Sequence, residues 1–94
     1  MTPSTPERRE VYYSGRVQGV GFRYTVHSLA RGFAVTGFVK NLPDGRVQVV
    51  VEGVPAEVRA FLAAIHAAMQ RYVRDVSETT GPATGRFEGF DVRY

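Results

Sequence analysis

The stretch Gly15-Arg16-Val17-Gln18-Gly19-Val20-Gly21-Phe22-Arg23 decides how the rest of this chain is read. An apolar, strand-forming run, Val11-Tyr12-Tyr13, leads into it, and a helical pattern opening at Phe22 leads out. Glycine tolerates φ > 0, so a glycine-dense turn between strand and helix can aim consecutive backbone N–H groups at one anion. The helix that follows adds unpaired N–H groups and the positive end of its dipole. Arg23, in the first helical turn, can fork its guanidinium onto the same anion. A tight structural turn accounts for the same glycines. The dinucleotide fingerprint fails for want of its third glycine, and no Gly-Lys-Ser/Thr makes a Walker loop. On the residues alone the stretch is either an anion cradle or a turn.

Working outward, the N-terminal residues 1–7 are polar and broken by proline, which predicts a flexible tail before a single domain over 8–94. Arg8–Gly15 reads as the first strand. Phe22, Val26, Leu29, Ala30 and Phe33 recur at helical spacing and predict an amphipathic helix ending near Gly32–Ala34. Val35–Asn41 reads as a second strand, Leu42-Pro43-Asp44-Gly45 as a turn, and Arg46–Glu52 as a third strand with Val47, Val49 and Val51 alternating toward one face. A second helix opens at Gly53-Val54-Pro55 and buries Val58, Phe61, Leu62, Ile65 and Met69. Tyr72–Thr80 and Phe87–Tyr94 read as strands joined by the loop 81–85. His27 and His66 lie off the apolar stripes and are expected to be solvated, with no role.

This order predicts an α+β fold. Two right-handed strand–helix–strand crossovers interleave into a ferredoxin-like βαββαβ sandwich, its sheet mostly antiparallel, both helices on one face, with a short terminal strand added.

Composition sets the bounds on function. At 94 residues the chain is long enough for one domain, and 44% hydrophobic with 22% charged residues is ordinary for a globular protein. The absence of cysteine excludes disulfides, thiolate metal sites and a cysteine nucleophile. No run approaches a membrane span and no signal-peptide core precedes the domain, so a soluble cytoplasmic protein is expected. A net charge of +3 suits anionic partners without naming them.

The opening stretch resembles the signature of the acylphosphatase family, Gly-x-Val-Gln-Gly-Val-x-Phe-Arg. Gly37-Phe38-Val39-Lys40-Asn41-Leu42-Pro43-Asp44-Gly45-Arg46-Val47, running on to Glu52-Gly53, resembles the family's second signature, and Phe87-Glu88-Gly89-Phe90-Asp91-Val92-Arg93-Tyr94 its C-terminal segment. The resemblance implies the same ferredoxin-like fold. It also implies hydrolysis of the carboxyl–phosphate bond of acyl phosphates, without metal or other cofactor, to carboxylate and inorganic phosphate.

The resemblance further implies roles. Backbone N–H groups of Gln18, Gly19, Val20, Gly21, Phe22 and Arg23 match the phosphate cradle, with phosphate or sulfate as a product-like ligand. Arg23 matches the arginine on the substrate phosphate, and Asn41 the asparagine that orients the attacking water. The implied partner is a small-molecule acyl phosphate, with no nucleic acid or membrane, and the expected form is a monomer. Tyr94 is expected to bring its α-carboxylate to Arg23 or Arg16. The chain departs from the family pattern where Met69-Gln70-Arg71-Tyr72-Val73 lacks the usual Gly-Pro pair, and at Phe38, where tryptophan is frequent.

Two rivals share the strand–helix order. An RNA-binding module needs stacking aromatics on the central strands, and the predicted third strand, Arg46-Val47-Gln48-Val49-Val50-Val51-Glu52, has none. A non-catalytic anion sensor needs the cradle but not a water-orienting Asn41.

Overall fold

The computed structural model describes residues 5–94. Its elements, in chain order, are β1 (Glu7–Gly15), α1 (Phe22–Ala30), β2 (Thr36–Asn41), β3 (Val47–Gly53), α2 (Pro55–Met69), β4 (Val73–Pro82) and β5 (Phe90–Arg93). They form one five-stranded sheet in the order β4-β1-β3-β2-β5. Every pairing is antiparallel except β2 with β5. This is the predicted ferredoxin-like sandwich with its extra strand. Of the tail expected over residues 1–7, the first four lie outside the described residues, while Glu7 already pairs with Gly53 and Pro82.

Strand alternation gives the sheet two different faces. Val11, Val39, Val47, Val49 and Val51 meet the stripes of α1 (Phe22, Val26, Ala30) and α2 (Val58, Phe61, Leu62, Ile65, Met69) in one core. Each fully buried aliphatic side chain of this kind contributes about 1.5–3 kcal/mol. The helix ends obey local rules. Pro55 occupies the first turn of α2, where no N–H partner is needed. α1 ends earlier than its apolar spacing suggested: Arg31, Gly32 and Phe33 donate to Ser28, Leu29 and Ala30 three residues back, so the last turn tightens and leaves Leu29 and Phe33 only half-buried. α2 stops without the Gly-Pro breaker, through a turn in which Tyr72 N–H donates to the Met69 carbonyl at 2.9 Å.

The second face is covered by a segment that no local sequence pattern marks. β4 and β5 lie on opposite edges of the sheet. Residues 83–89 must therefore cross the face away from the helices, and this crossover covers Val50, Phe38 and Glu52, all buried. Phe87 packs on Phe38 with ring centroids 5.9 Å apart, and the Arg93 guanidinium lies 4.0 Å over Phe38. Glu52 accepts from Thr84 N–H (3.0 Å), Thr84 Oγ1 (2.8 Å), Gly85 N–H (3.0 Å) and Arg8 Nη1 (3.2 Å). Burial alone would push its carboxyl up. The bonds from Thr84, Gly85 and Arg8 outweigh burial and hold it below its usual value.

His66 is exposed, as expected, but makes one contact with the core. Its ring stands edge-on to Tyr13, and its Nε2 is 3.1 Å from the hydroxyl of that fully buried tyrosine. Burial, aided by the charge of Glu78, raises the Tyr13 ionisation, so the phenol stays protonated for this bond.

Candidate active site

The loop from Gly15 to Gly21 is pinned by its apolar residues and shaped by its glycines. Val17 is fully buried and Val20 packs against the core, while Phe22 closes the loop against Tyr13 at 5.1 Å between ring centroids. Between these anchors Gly19 and Gly21 stand exposed with φ of 77° and 79°, and nothing lies within 4 Å of where a Cβ would be. It is the left-handed backbone, not crowding, that requires glycine here. Left-handed residues at alternating positions curve a chain so that its N–H groups converge, the arrangement of an anion nest. Gly21 is also the cap of α1, so the loop runs directly into the helix's first N–H groups and the positive end of its dipole. Its carbonyl accepts from Thr25 N–H at 2.9 Å, which starts the helix. The six backbone positions expected to form a cradle, Gln18 through Arg23, are thus contiguous on this loop and the first turn of α1.

Arg23 lies half-buried on that first turn. Its Nη1 donates to the Arg93 carbonyl at 3.3 Å, and its Cζ sits 4.6 Å over the Tyr94 ring. Among the described residues it has no carboxylate partner, so most of its five N–H donors remain available. The expected contact with the C-terminal segment is therefore present but different in kind. The Tyr94 ring and the Arg93 carbonyl make it, and no ion pair with the α-carboxylate occurs at Arg23 or Arg16. Arg16 instead joins Arg71 and Arg74 around a polar cleft of about 310 Å³ where β1 ends beside β4, adding positive potential next to the loop.

Asn41 ends β2 opposite Val47, on the helix side of the sheet. Its Oδ1 is buried and, among the described residues, has no hydrogen-bond partner. Leaving an amide oxygen in that state costs about 1–3 kcal/mol, which structural residues seldom bear. The loop and Asn41 are joined by Gln18, whose Nε2 donates to the Leu42 carbonyl at 2.7 Å and to the Arg46 carbonyl at 3.0 Å. The motif match assigns Gln18 only its backbone N–H. A long amide side chain three residues after β1, with no apolar periodicity of its own, is the available signal.

The model of the Acylphosphatase family matches residues 9–92, a span that contains the loop, Asn41 and most of β5. The chain belongs to the acylphosphatase family. It is 39% identical to an acylphosphatase of Archaeoglobus fulgidus over 85 residues, covering 90% of this chain and 96% of the relative. It is 42% identical to an acylphosphatase of Nostoc sp. over 98 residues, covering 99% and 96%. The crystal structure of acylphosphatase from Bacillus subtilis superposes with a TM-score of 0.84 at 32% identity, covering 94% of this chain and 99% of that one. No helix among the described residues is long and apolar enough to cross a membrane.

Proposed function

We propose that this chain hydrolyses acyl phosphates at the carboxyl–phosphate bond, with the loop Gln18–Arg23 as phosphate cradle and Asn41 as the residue that orients water. In this reaction the water oxygen forms a bond to phosphorus while the bond from phosphorus to the acyl oxygen breaks. The carboxylate leaves with the electron pair, and the water's proton passes to a phosphoryl oxygen or to solvent. A carboxylate whose conjugate acid has a pKa of about 4 departs without a general acid. What remains for the protein is positioning and charge stabilisation. Converging N–H groups and the guanidinium of Arg23 stabilise the equatorial oxygens, and Asn41 holds the nucleophile.

The observation that carries this reading is the buried, unpartnered Oδ1 of Asn41 on a hairpin tied by Gln18 to a left-handed glycine loop. A non-catalytic sensor has no use for such an acceptor. The RNA-binding alternative also loses ground, because the open-face aromatics are already occupied: Arg46 covers Tyr12 at 4.8 Å, and Arg93 and Phe87 cover Phe38. The reading extends to a monomer working in the cytoplasm on small acyl phosphates. The test is release of inorganic phosphate from acetyl phosphate in excess chelator. Sustained turnover supports the proposal, and absence of turnover by folded protein sinks it.

A further inference from the structure

The Gln18 carboxamide nitrogen carries two hydrogens and faces two carbonyl oxygens, those of Leu42 and Arg46. Two acceptors on one side fix which end of the amide is nitrogen. The same two carbonyls form the neck of the β2–β3 hairpin: Leu42 N–H donates to the Arg46 carbonyl at 2.8 Å, and Gly45 N–H to the Leu42 carbonyl at 3.1 Å. Each oxygen has two lone pairs, and Gln18 fills the second on both. Among the described residues, these are the only hydrogen bonds between residues 15–23 and residues 41–46.

Asn41 immediately precedes Leu42, and no side-chain hydrogen bond holds its carboxamide. The sheet ladder holds the Asn41 backbone opposite Val47, which in turn pairs with Tyr13, and the hairpin neck that follows it is held to the loop by Gln18. The neck is tethered to the loop through Gln18, while its tip, Pro43-Asp44-Gly45, is exposed. We infer that Gln18 is a positioning residue that sets the distance between the anion cradle and Asn41, and so between a bound phosphoryl group and its attacking water. The inference rests on the proposed function. It gives the Gln18 side chain a task separate from its backbone N–H: the main chain serves the anion, and the carboxamide serves the nucleophile's holder. Loss of the tether lets the hairpin hinge, and a misplacement of about 1 Å in such a geometry lowers the rate by about 100-fold.

The test is a double-mutant cycle on acetyl phosphate with Gln18→Ala, Asn41→Ala and the double variant. Gln18→Ala is expected to lower kcat by about 10–100-fold while the inhibition constant for phosphate moves by less than about twofold. In the Asn41→Ala background the same change is expected to lower kcat by no more than about twofold, since the group it positions is gone. An equal loss in both backgrounds, or a rise in the phosphate inhibition constant matching the fall in kcat, overturns the inference, because Gln18 then supports the cradle.

Gln18→Glu supplies a readout within one folded variant. Its carboxylate sets lone pairs against two carbonyls, and protonation restores one donor. Its kcat relative to the parent is expected to rise as pH falls through the carboxyl range, and a flat ratio counts against the tether. A parent chain that leaves acetyl phosphate intact removes the proposed function and this inference with it. An active parent with an unaffected Gln18→Ala removes the inference alone.

Discussion

Glu52 and Asn41 sit on neighbouring strands, and they stand in opposite states. The Glu52 carboxylate collects four hydrogen bonds, from Arg8, from Thr84 twice and from Gly85, under the crossover that covers the open face. The Asn41 oxygen, toward the helix face, collects none. Their arginines differ in the same way. Arg8 is shared between Glu10 and Glu52, whereas Arg23 rests on one carbonyl and one ring. A buried polar group is tolerated when its partners are supplied within the fold. Where they are supplied, as at Glu52, the cluster holds two segments together. Where they are withheld, as at Asn41 and Arg23, polar atoms stay open, as the proposed site requires.

That contrast breaks most visibly at Arg23. Arg23→Ala is expected to weaken phosphate inhibition and to slow turnover together, by about 10²–10³ in rate, or about 2.7–4 kcal/mol of transition-state stabilisation. Arg23→Lys should recover only part of this, since an ammonium lacks the fork. Steady-state kinetics with phosphate as inhibitor measure both. Unaltered phosphate inhibition in Arg23→Ala would move the anion site elsewhere.

Asn41→Ala is expected to lower kcat by about 10²-fold while phosphate inhibition stays nearly constant. Its stability sharpens the comparison. Removing an orphaned acceptor should leave the unfolding free energy unchanged or raise it by up to about 1 kcal/mol, which urea titration reads directly. A markedly destabilised Asn41→Ala with normal turnover would make Asn41 a structural hairpin residue.

Glu52→Gln is expected to do the reverse, costing about 1.5 kcal/mol of stability with little change in kcat, because hydrogen bonds to a charge are replaced by weaker ones. Its pH dependence has a definite sign. The Glu52 carboxyl is held below the ordinary 4.5 in the folded chain. Its contribution is therefore present above that value and is lost as pH falls through the lower, folded value. The stability gap between the parent and Glu52→Gln should close as pH falls from above 4.5 through the lower, folded value. A gap that stays constant would mean that the carboxylate's charge contributes nothing.

The fold was legible because local patterns carried it. The α2 stripe at Val58, Phe61, Leu62, Ile65 and Met69 and the alternation of β3 need only helical and strand periodicity to be read. Val50 and Glu52 also appear in β3, and period-two alternation assigns them to solvent. What buries them is the 83–89 crossover, and no local pattern announces a segment that crosses a sheet. His66 is exposed as its place off the apolar stripe predicts, but its contact with Tyr13, 53 residues away, follows from no local pattern. At the candidate site the glycines, Arg23 and Asn41 were legible as residue types in a motif. The tether of Gln18 to Leu42 and Arg46 was not, because it joins two turns that only the folded sheet brings together.

The parallel pairing of β5 has a consequence for how the molecule comes apart. β5 has four residues, lies at the sheet's edge and bonds to β2 alone. Short edge strands open by local fluctuation at free energies well below that of global unfolding, which is why their amides exchange first. The carbonyl that steadies Arg23 belongs to this strand. When β5 frays, the guanidinium loses its seat while the core beneath α1 and α2 stays intact. On the proposed reading of Arg23, the chain then loses its hold on a phosphate before it loses its fold.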